Sequence, residues 1–160
     1  MTEVALKFSR QEYAQRLDKT RRAMEAKGVD LLIVTDPSNM NWLTGYDGWS
    51  FYVHQCVVVP PEGEPIFFGR GMDAVGARFT AYLAHDNIIG YPDDYVQNTE
   101  KHPMDLLSSI LKDKGWGAKR IGVEMDNYWF TAAAFAALQR HLPDAKFSDT
   151  NSLVNWQRAV

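Results

Sequence analysis

Apolar and polar residues recur along this chain with two different periods, and the changes between them predict its helices and strands. Residues 10–27 have helical spacing. Ser9 precedes this segment and Glu12 follows three residues later, a spacing typical of a helix start in which the two side chains satisfy each other's backbone N–H. Gly28 is suited to the left-handed conformation that ends a helix. The predicted buried face contains Tyr13, Leu17, Thr20 and Met24, and the predicted solvent face contains Arg16, Lys19, Arg22 and Glu25.

The remaining periodicity predicts a sheet with helices on both sides. Residues 31–35 form a continuous apolar run, which is typical of a strand covered on both faces. Strands over residues 52–59 and 65–68 are separated by a proline and glycine turn and predict a hairpin. Further predicted elements are a helical turn over 38–43, helices over 73–82, 104–114 and 129–141, and strands over 87–90, 119–125 and 145–147. The sequence therefore predicts an α/β fold, a three-layer domain with a mixed, mostly parallel sheet and one hairpin.

The final segment, residues 151–160, is predicted to begin another helix. Leu153, Trp156 and Val160 would share one face, and Thr150 or Asn151 would cap it. This apolar face has no stop signal behind it and is expected to be exposed. We therefore expect residues 1–150 to form the domain and residues 151–160 to begin a linker into a second domain.

Composition narrows the classes of protein that fit. The chain has 160 residues, 46% of them hydrophobic, and a net charge of −3. This length suits one domain, and the charge lacks the basic excess that binding to a phosphate backbone requires. No apolar run approaches the roughly 18 residues of a membrane span, and the first residues do not resemble a signal peptide. We therefore expect no nucleic acid or membrane partner and a cytoplasmic location.

The residues themselves predict no catalytic constellation and no metal site. The four histidines, at positions 54, 85, 102 and 141, have no partner at ligand spacing, so a metal site would require distant residues to converge. Cys56 lies in an apolar run and is expected to be a buried hydrophobe. Glu124 and Asp126 would project from one side of a strand end, where exposure to solvent explains them at least as well as acid/base chemistry.

A glycine turn at residues 69–74 matches the G-x-G-x-x-A form of a dinucleotide-binding turn. That motif normally follows the first strand of its fold, with an acidic residue about 20 positions further on at a strand end. Here the turn follows a hairpin strand, and Asp93 falls in a Pro-Asp-Asp turn. An ordinary glycine turn is the better interpretation.

The segment between the first two strands, residues 36–55, has the composition of a recognition loop. It combines turn-forming Asp-Pro, Thr-Gly and Asp-Gly steps with a concentration of aromatic rings. Loops held by a rigid scaffold often carry binding residues, and aromatic side chains with a polar tip add a hydrogen bond to their contact area. Two interpretations stay open: the rings cover the core, or they form the wall of a pocket. His54 alternates with Tyr52, so both would face one side of an extended segment.

Several segments resemble the N-terminal domain of the creatinase/prolidase (pita-bread) hydrolases, and the resemblance runs the whole length of the chain. They are residues 28–34, 39–46, 63–68, 120–124 and 153–158. Within the family, residues 46–55 and 91–97 are more similar to the ectoine hydrolase branch than to prolidase or creatinase. The runner-up is an Xaa-Pro dipeptidase or aminopeptidase of metallopeptidase family M24. A stand-alone binding module without catalytic partner is a third hypothesis.

The resemblance implies a two-domain hydrolase of C–N bonds in which a second domain carries the catalytic residues, so this chain alone is expected to be inactive. The peptidase branch uses two divalent metals in that domain and the creatinase-like branch uses none, which leaves the cofactor of the whole enzyme open. The family forms homodimers in which the N-terminal domain of one subunit covers the other's active site.

Carried over to this chain, the resemblance makes Trp49, Tyr52 and His54 the expected contacts to a small-molecule substrate. Creatinase has an arginine in this region that binds its substrate's carboxylate. No arginine lies between Asp47 and Gln55 here, which argues against creatine as the substrate.

Overall fold

The computed structural model describes residues 4–50 and 52–159. Helices and strands alternate along the chain as the periodicity predicts. The helices are α1 (Arg10–Ala26), α2 (Pro37–Thr44), α3 (Gly71–Thr80), α4 (Pro103–Asp113), α5 (Ala132–His141) and α6 (Asn155–Arg158). The strands are β1 (Leu31–Val34), β2 (Cys56–Val59), β3 (Ile66–Arg70), β4 (Ile88–Tyr91), β5 (Arg120–Val123) and β6 (Lys146–Asp149).

The strands form one mixed sheet in the order β4-β3-β2-β1-β5-β6. β2 pairs antiparallel with β1 and β3, whereas β1 with β5, β5 with β6, and β3 with β4 are parallel pairs. β2 therefore runs opposite to the other five strands. Because of this, the residues that enter β2 lie at the same edge of the sheet as the carboxyl ends of its neighbours.

Two apolar layers confirm the predicted three-layer α/β fold. Alternate residues of β1 point to opposite faces, with Leu32 and Val34 in one core and Leu31 and Ile33 in the other. The first core is covered by α1, α2 and α3, and the second by α4 and α5. Every residue of β1 and β2 is buried, which explains why these strands are continuously apolar.

Two predictions for α1 are corrected by its contacts. Ser9 Oγ accepts the Glu12 N–H at 3.1 Å as predicted, but Glu12 Oε1 accepts from Arg16 Nε at 2.9 Å and not from the helix start. Arg16 was expected on the solvent face and is only 9% exposed. Its Nη1 donates to the Trp42 carbonyl at 3.0 Å, because α2 packs against α1 and presents that group.

The second strand and the last long helix are shorter than predicted. β2 begins at Cys56, so residues 52–55 are not extended ladder residues, and the argument that Tyr52 and His54 face one side of a strand is wrong. α5 begins at Ala132, since the Thr131 hydroxyl accepts the Ala134 N–H and fixes the start there.

The tail also differs from its prediction. Leu153 and Val154 are 5% and 1% exposed and belong to the first core, while Trp156 is 76% exposed. The predicted shared face is therefore split between core and solvent, and Val160 lies outside the described residues. Val154 precedes α6 and makes no side-chain cap, so neither predicted cap residue serves it. Within the described ranges, no helix is long and apolar enough to cross a membrane.

Candidate functional site

The loop over residues 47–55 lies at the sheet edge where the parallel strands end. It enters β2 beside the carboxyl end of β1, since Val57 pairs with Val34. Ligands of open α/β sheets bind outside the carboxyl ends of the strands, where connections diverge. The topology therefore places the predicted recognition loop on the edge of the sheet that is best suited to a ligand.

A buried contact joins the two ends of this loop. The Tyr46 hydroxyl donates to Gln55 Oε1 at 2.9 Å, and the Tyr46 ring packs against Phe67 at 4.4 Å between centroids. Burial raises the pKa of the Tyr46 phenol, so the hydroxyl keeps its proton and its donor role. Further along, the Asp47 N–H donates to Thr80 Oγ1 at 3.2 Å, and Lys7 pairs with the Asp47 carboxylate at 2.6 Å. The loop is thus anchored at its base.

The aromatic residues of the loop divide between core and solvent. Tyr46 is 3% exposed, whereas Trp49 is 84% exposed and Tyr52 is 71% exposed. Tyr52 lies near enough to Arg70 to affect the pKa of that guanidinium. Phe51, which lies between Trp49 and Tyr52 in the sequence, is outside the described residues. The interpretation that these rings cover the core therefore holds for Tyr46 but not for Trp49 or Tyr52.

His54 is half-buried and faces the start of α4. Its Nε2 lies 3.1 Å from His102 Nε2, and its carbonyl accepts the Tyr91 hydroxyl at 2.6 Å. Burial, with His102 as a second cause, lowers the pKa of His54 to about 4. Burial also lowers the pKa of His102. Both rings are therefore neutral at neutral pH.

Glu124 has a structural role at the same edge of the sheet, but the solvent exposure that the sequence predicts for it is wrong. It is 1% exposed, and its Oε2 accepts the backbone N–H groups of Thr35 and Asp36 at 2.6 and 2.7 Å. Its Oε1 accepts from Asn39 Nδ2 at 2.6 Å. Burial raises the pKa of this carboxyl, which its hydrogen bonds partly oppose. Glu124 thus joins the end of β5 to the start of α2, whereas Asp126 is exposed.

The other sequence candidates lie outside this site or are buried in the core. Cys56 is buried as predicted, and burial raises the pKa of its thiol. His141 Nε2 lies 3.0 Å from Asp105 Oδ1, and His85 is exposed. Arg70 of the glycine turn pairs with Asp93 through two contacts of 2.7 and 2.9 Å. Across the described part of the chain, no group of three or more His, Cys, Asp or Glu residues could hold a metal ion.

Two features of the site were not predicted. The His54–His102 contact joins residues 48 positions apart, and no local spacing could indicate it. The burial of Arg16 depends on a carbonyl of α2 and is equally invisible in helical periodicity. The sequence does contain a signal for the role of His102 as a helix cap, because Pro103 and Asp105 after it are typical of a helix start. In the structure His102 Nδ1 accepts the Met104 N–H at 3.1 Å.

Gly48 fixes the shape of the loop, which gives a first testable expectation. A Cβ at this position would lie 2.1 Å from the Tyr46 hydroxyl oxygen, whereas a Cβ at Gly76 of α3 would meet nothing within 4 Å. We expect Gly48→Ala to displace the Tyr46 ring and cost about 1–3 kcal/mol of unfolding free energy. The matched control Gly76→Ala should stabilise the domain by about 0.5–1 kcal/mol, because alanine has a higher helix propensity than glycine. Urea unfolding of both variants measures this, and equal effects would contradict it.

The low pKa of His54 makes the stability of the domain depend on pH. The unfolded histidine titrates near 6.5 and the folded one near 4, so between these values the unfolded state binds more protons. The contribution of neutral His54 to the free energy of unfolding is fully present above about pH 6.5 and is lost as the pH falls towards 4. This loss is at most about 3 kcal/mol. His102 acts in the same direction.

The matched experiment compares urea unfolding of the wild type and His54→Gln across this pH window. The raised pKa of Glu124 has the opposite sign but is common to both proteins, so it cancels in the difference. We expect the wild type to lose more stability than the variant on acidification. Parallel pH curves would show that His54 does not titrate in this way.

The family comparison agrees with the fold. The model of the creatinase/prolidase N-terminal domain matches residues 16–160, and this chain therefore belongs to that family. Ectoine hydrolase of Halomonas elongata is 58% identical over 161 aligned residues, covering all of this chain and 40% of that protein. An uncharacterized hydrolase/peptidase of Sinorhizobium fredii is 42% identical, covering 97% of this chain and 40% of that protein. The chain thus spans about two fifths of the length of these relatives.

Solved structures show the same fold at much lower identity. A proline dipeptidase from Streptococcus pneumoniae superposes with a TM-score of 0.71 at 22% identity, covering 90% of this chain and 97% of that one. The N-terminal domain of the cytoplasmic peptidase PepQ from Mycobacterium tuberculosis gives a TM-score of 0.64 at 18% identity, covering 90% and 98%. These likenesses confirm the predicted architecture.

Proposed function

We propose that this chain is the substrate-covering N-terminal domain of a C–N hydrolase that acts on ectoine or a closely related cyclic amidine. The observation that carries this proposal is the 58% identity to an ectoine hydrolase along the whole chain. The catalytic groups are assigned to a second domain, so the role of this chain is to bind substrate. On this view residues 1–150 form the domain and residues 151–160 begin the linker, whose Leu153 and Val154 pack into the first core.

The exposed loop fits the chemistry of such a substrate. A cyclic amidine is a delocalised cation, and exposed faces of Trp49 and Tyr52 attract cations by their ring quadrupoles. His54 is neutral at physiological pH, so it adds a hydrogen bond without repelling the cation. Hydrolysis adds water to the amidine carbon and breaks one ring C–N bond, which yields an acetylated diaminobutyrate.

An Xaa-Pro dipeptidase or aminopeptidase is the alternative, and the fold relatives support it. In that case the same exposed rings would hold a proline ring. The proline dipeptidase shares 22% sequence identity with this chain, whereas the ectoine hydrolase shares 58%. The higher identity along the whole chain therefore favours the cyclic amidine.

Assays of the complete enzyme on both substrates test the proposal. We expect release of acetylated diaminobutyrate from ectoine and little cleavage of a proline dipeptide such as Ala-Pro. Cleavage of the dipeptide without turnover of ectoine would reverse the ranking. The 160-residue chain alone should hydrolyse neither substrate, and activity in the purified chain, with contaminating enzyme excluded, would contradict the assignment of catalysis to another domain.

The proposal extends to assembly and location. We place the enzyme in the cytoplasm as a homodimer in which the 47–55 loop of one subunit covers the active site of the other. The exposure of Trp49 and Tyr52 supports this arrangement, since rings that are buried within their own domain could not reach a neighbour.

A further inference from the structure

The contact between His54 and His102 determines where each ring carries its proton. His102 Nδ1 accepts the Met104 N–H at 3.1 Å, so in the neutral ring the proton of His102 resides on Nε2. That Nε2–H faces His54 Nε2 at 3.1 Å and donates to it. His54 Nε2 is therefore an acceptor, and the proton of neutral His54 resides on Nδ1. A backbone N–H thus fixes, through one ring, the tautomer of the next.

Charging either ring breaks this chain of hydrogen bonds. A proton on His102 Nδ1 would oppose the Met104 N–H, and a proton on His54 Nε2 would oppose the Nε2–H of His102. The charged groups around His102 come from two helices: Asp105 of α4, which favours its cation, and Arg140 of α5, which disfavours it. The Asp105 carboxylate already accepts the backbone N–H of His102 at 2.8 Å and pairs with Arg140 and His141. From β4, only the uncharged Tyr91 hydroxyl contacts the His54 backbone.

We propose that His102 is a positioning residue that holds His54 in the Nδ1–H tautomer, so that the recognition loop presents a neutral hydrogen-bond donor. With Nε2 occupied by His102, Nδ1–H is the ring group of His54 left for a ligand. Such a donor selects an oxygen acceptor, and a carboxylate gives the stronger, charge-assisted bond. The substrate class is then a zwitterion, with its cation on the aromatic rings and its carboxylate on His54.

The substrate part of this inference rests on the proposed function, whereas the tautomer does not. The first experiment therefore uses the 160-residue chain with ¹⁵N-labelled histidines and long-range ¹H–¹⁵N correlation NMR at neutral pH. We expect a single tautomer for each ring, with a proton on Nδ1 of His54 and on Nε2 of His102. Exposed His85 serves as the internal control and should show an averaged mixture. A proton on Nε2 of His54, or averaging like that of His85, would overturn the inference.

The variant His102→Asn removes the ring and keeps the helix cap. Asparagine is a favoured N-cap whose side-chain oxygen can accept the Met104 N–H in place of Nδ1, but it is too short to reach His54. In this variant His54 should lose its fixed tautomer, and its pKa should rise towards the ordinary 6.5. An unchanged tautomer and pKa would show that His102 does not position His54.

In the complete enzyme, His102→Asn should raise the KM for ectoine about three- to tenfold with little change in kcat, as expected for a lost binding hydrogen bond. His141→Gln is the control, because His141 pairs with Asp105 and not with His54, and it should leave KM unchanged. An unchanged KM in His102→Asn would remove the substrate part. If the tautomers are as stated but the wild type does not turn over ectoine, the proposed function fails and the positioning role stands.

Discussion

Replacing Trp49 by alanine in the complete enzyme should reduce kcat/KM for ectoine at least tenfold while leaving the melting temperature of this domain nearly unchanged. A desolvated cation–π contact contributes about 2 kcal/mol, which corresponds to roughly a 30-fold change in kcat/KM. The ring is 84% exposed in the isolated domain, so its removal leaves no cavity. Steady-state kinetics and thermal unfolding measure the two effects separately.

Trp156→Ala is the matched control for this expectation. Trp156 is also largely exposed, at 76%, but lies in α6 and outside the loop. Its removal should affect neither kinetics nor stability by more than a small amount. A buried tryptophan would instead cost on the order of 3–5 kcal/mol when truncated. A stability loss of that size in Trp49→Ala, with normal kinetics in the folded fraction, would contradict the recognition role.

Glu124→Ala should be the most destabilising single change considered, at about 3–5 kcal/mol. The carboxylate is buried, and its loss strands the N–H groups of Thr35 and Asp36 and the Asn39 amide without an acceptor. Each buried donor left unsatisfied costs about 1–3 kcal/mol. Because these donors lie at the start of α2, the variant should also loosen the chain that leads into the recognition loop. Urea unfolding of the 160-residue chain measures the loss.

Glu124→Gln is the control that separates hydrogen bonding from charge. Glutamine keeps one side-chain oxygen, which can still accept the two backbone N–H groups. Its amide nitrogen can donate to Asn39 Oδ1, provided that the Asn39 side-chain amide flips; this oxygen has no hydrogen-bond partner in the wild-type structure. We expect a cost of about 1 kcal/mol. The raised pKa of Glu124 means that its contribution is present below the unfolded pKa and declines as pH rises through the folded pKa, and this pH dependence should vanish in the variant. Equal losses in both variants would show that the charge, and not the acceptor geometry, is required.

The architecture could be predicted because its causes are local in sequence. Continuously apolar runs predict strands covered on both faces, and Ser9 and Gly28 mark the limits of α1 as the structure has them. The solvent exposure predicted for Glu124 is wrong, because its buried carboxylate accepts the backbone N–H groups of Thr35 and Asp36. β2 begins later than the sequence predicts. The aromatic residues before Cys56 have a strand-like composition but belong to a loop whose ends are joined by the Tyr46–Gln55 hydrogen bond.

The site could be predicted only in part, because its geometry depends on contacts distant in sequence. Trp49 and Tyr52 stand out by composition, but only the fold shows that they are exposed while Tyr46 is buried. The pairing of His54 with His102 depends on α4 being packed beside the entrance of β2. Periodicity records which residues face a core and not which remote residues meet.

The sharpest test of the proposal that the 47–55 loop completes a neighbouring subunit's active site is complementation between a variant with an impaired loop and a variant with an inactivated second domain. One subunit carries Trp49→Ala, and the other carries an intact loop with an inactivated second domain. After verified subunit exchange, the mixed dimers contain one active site in which an intact loop covers an intact catalytic domain. We expect ectoine hydrolysis to return to about half of the wild-type activity per mixed dimer. Mixed dimers that are no more active than the Trp49→Ala parent would contradict the arrangement.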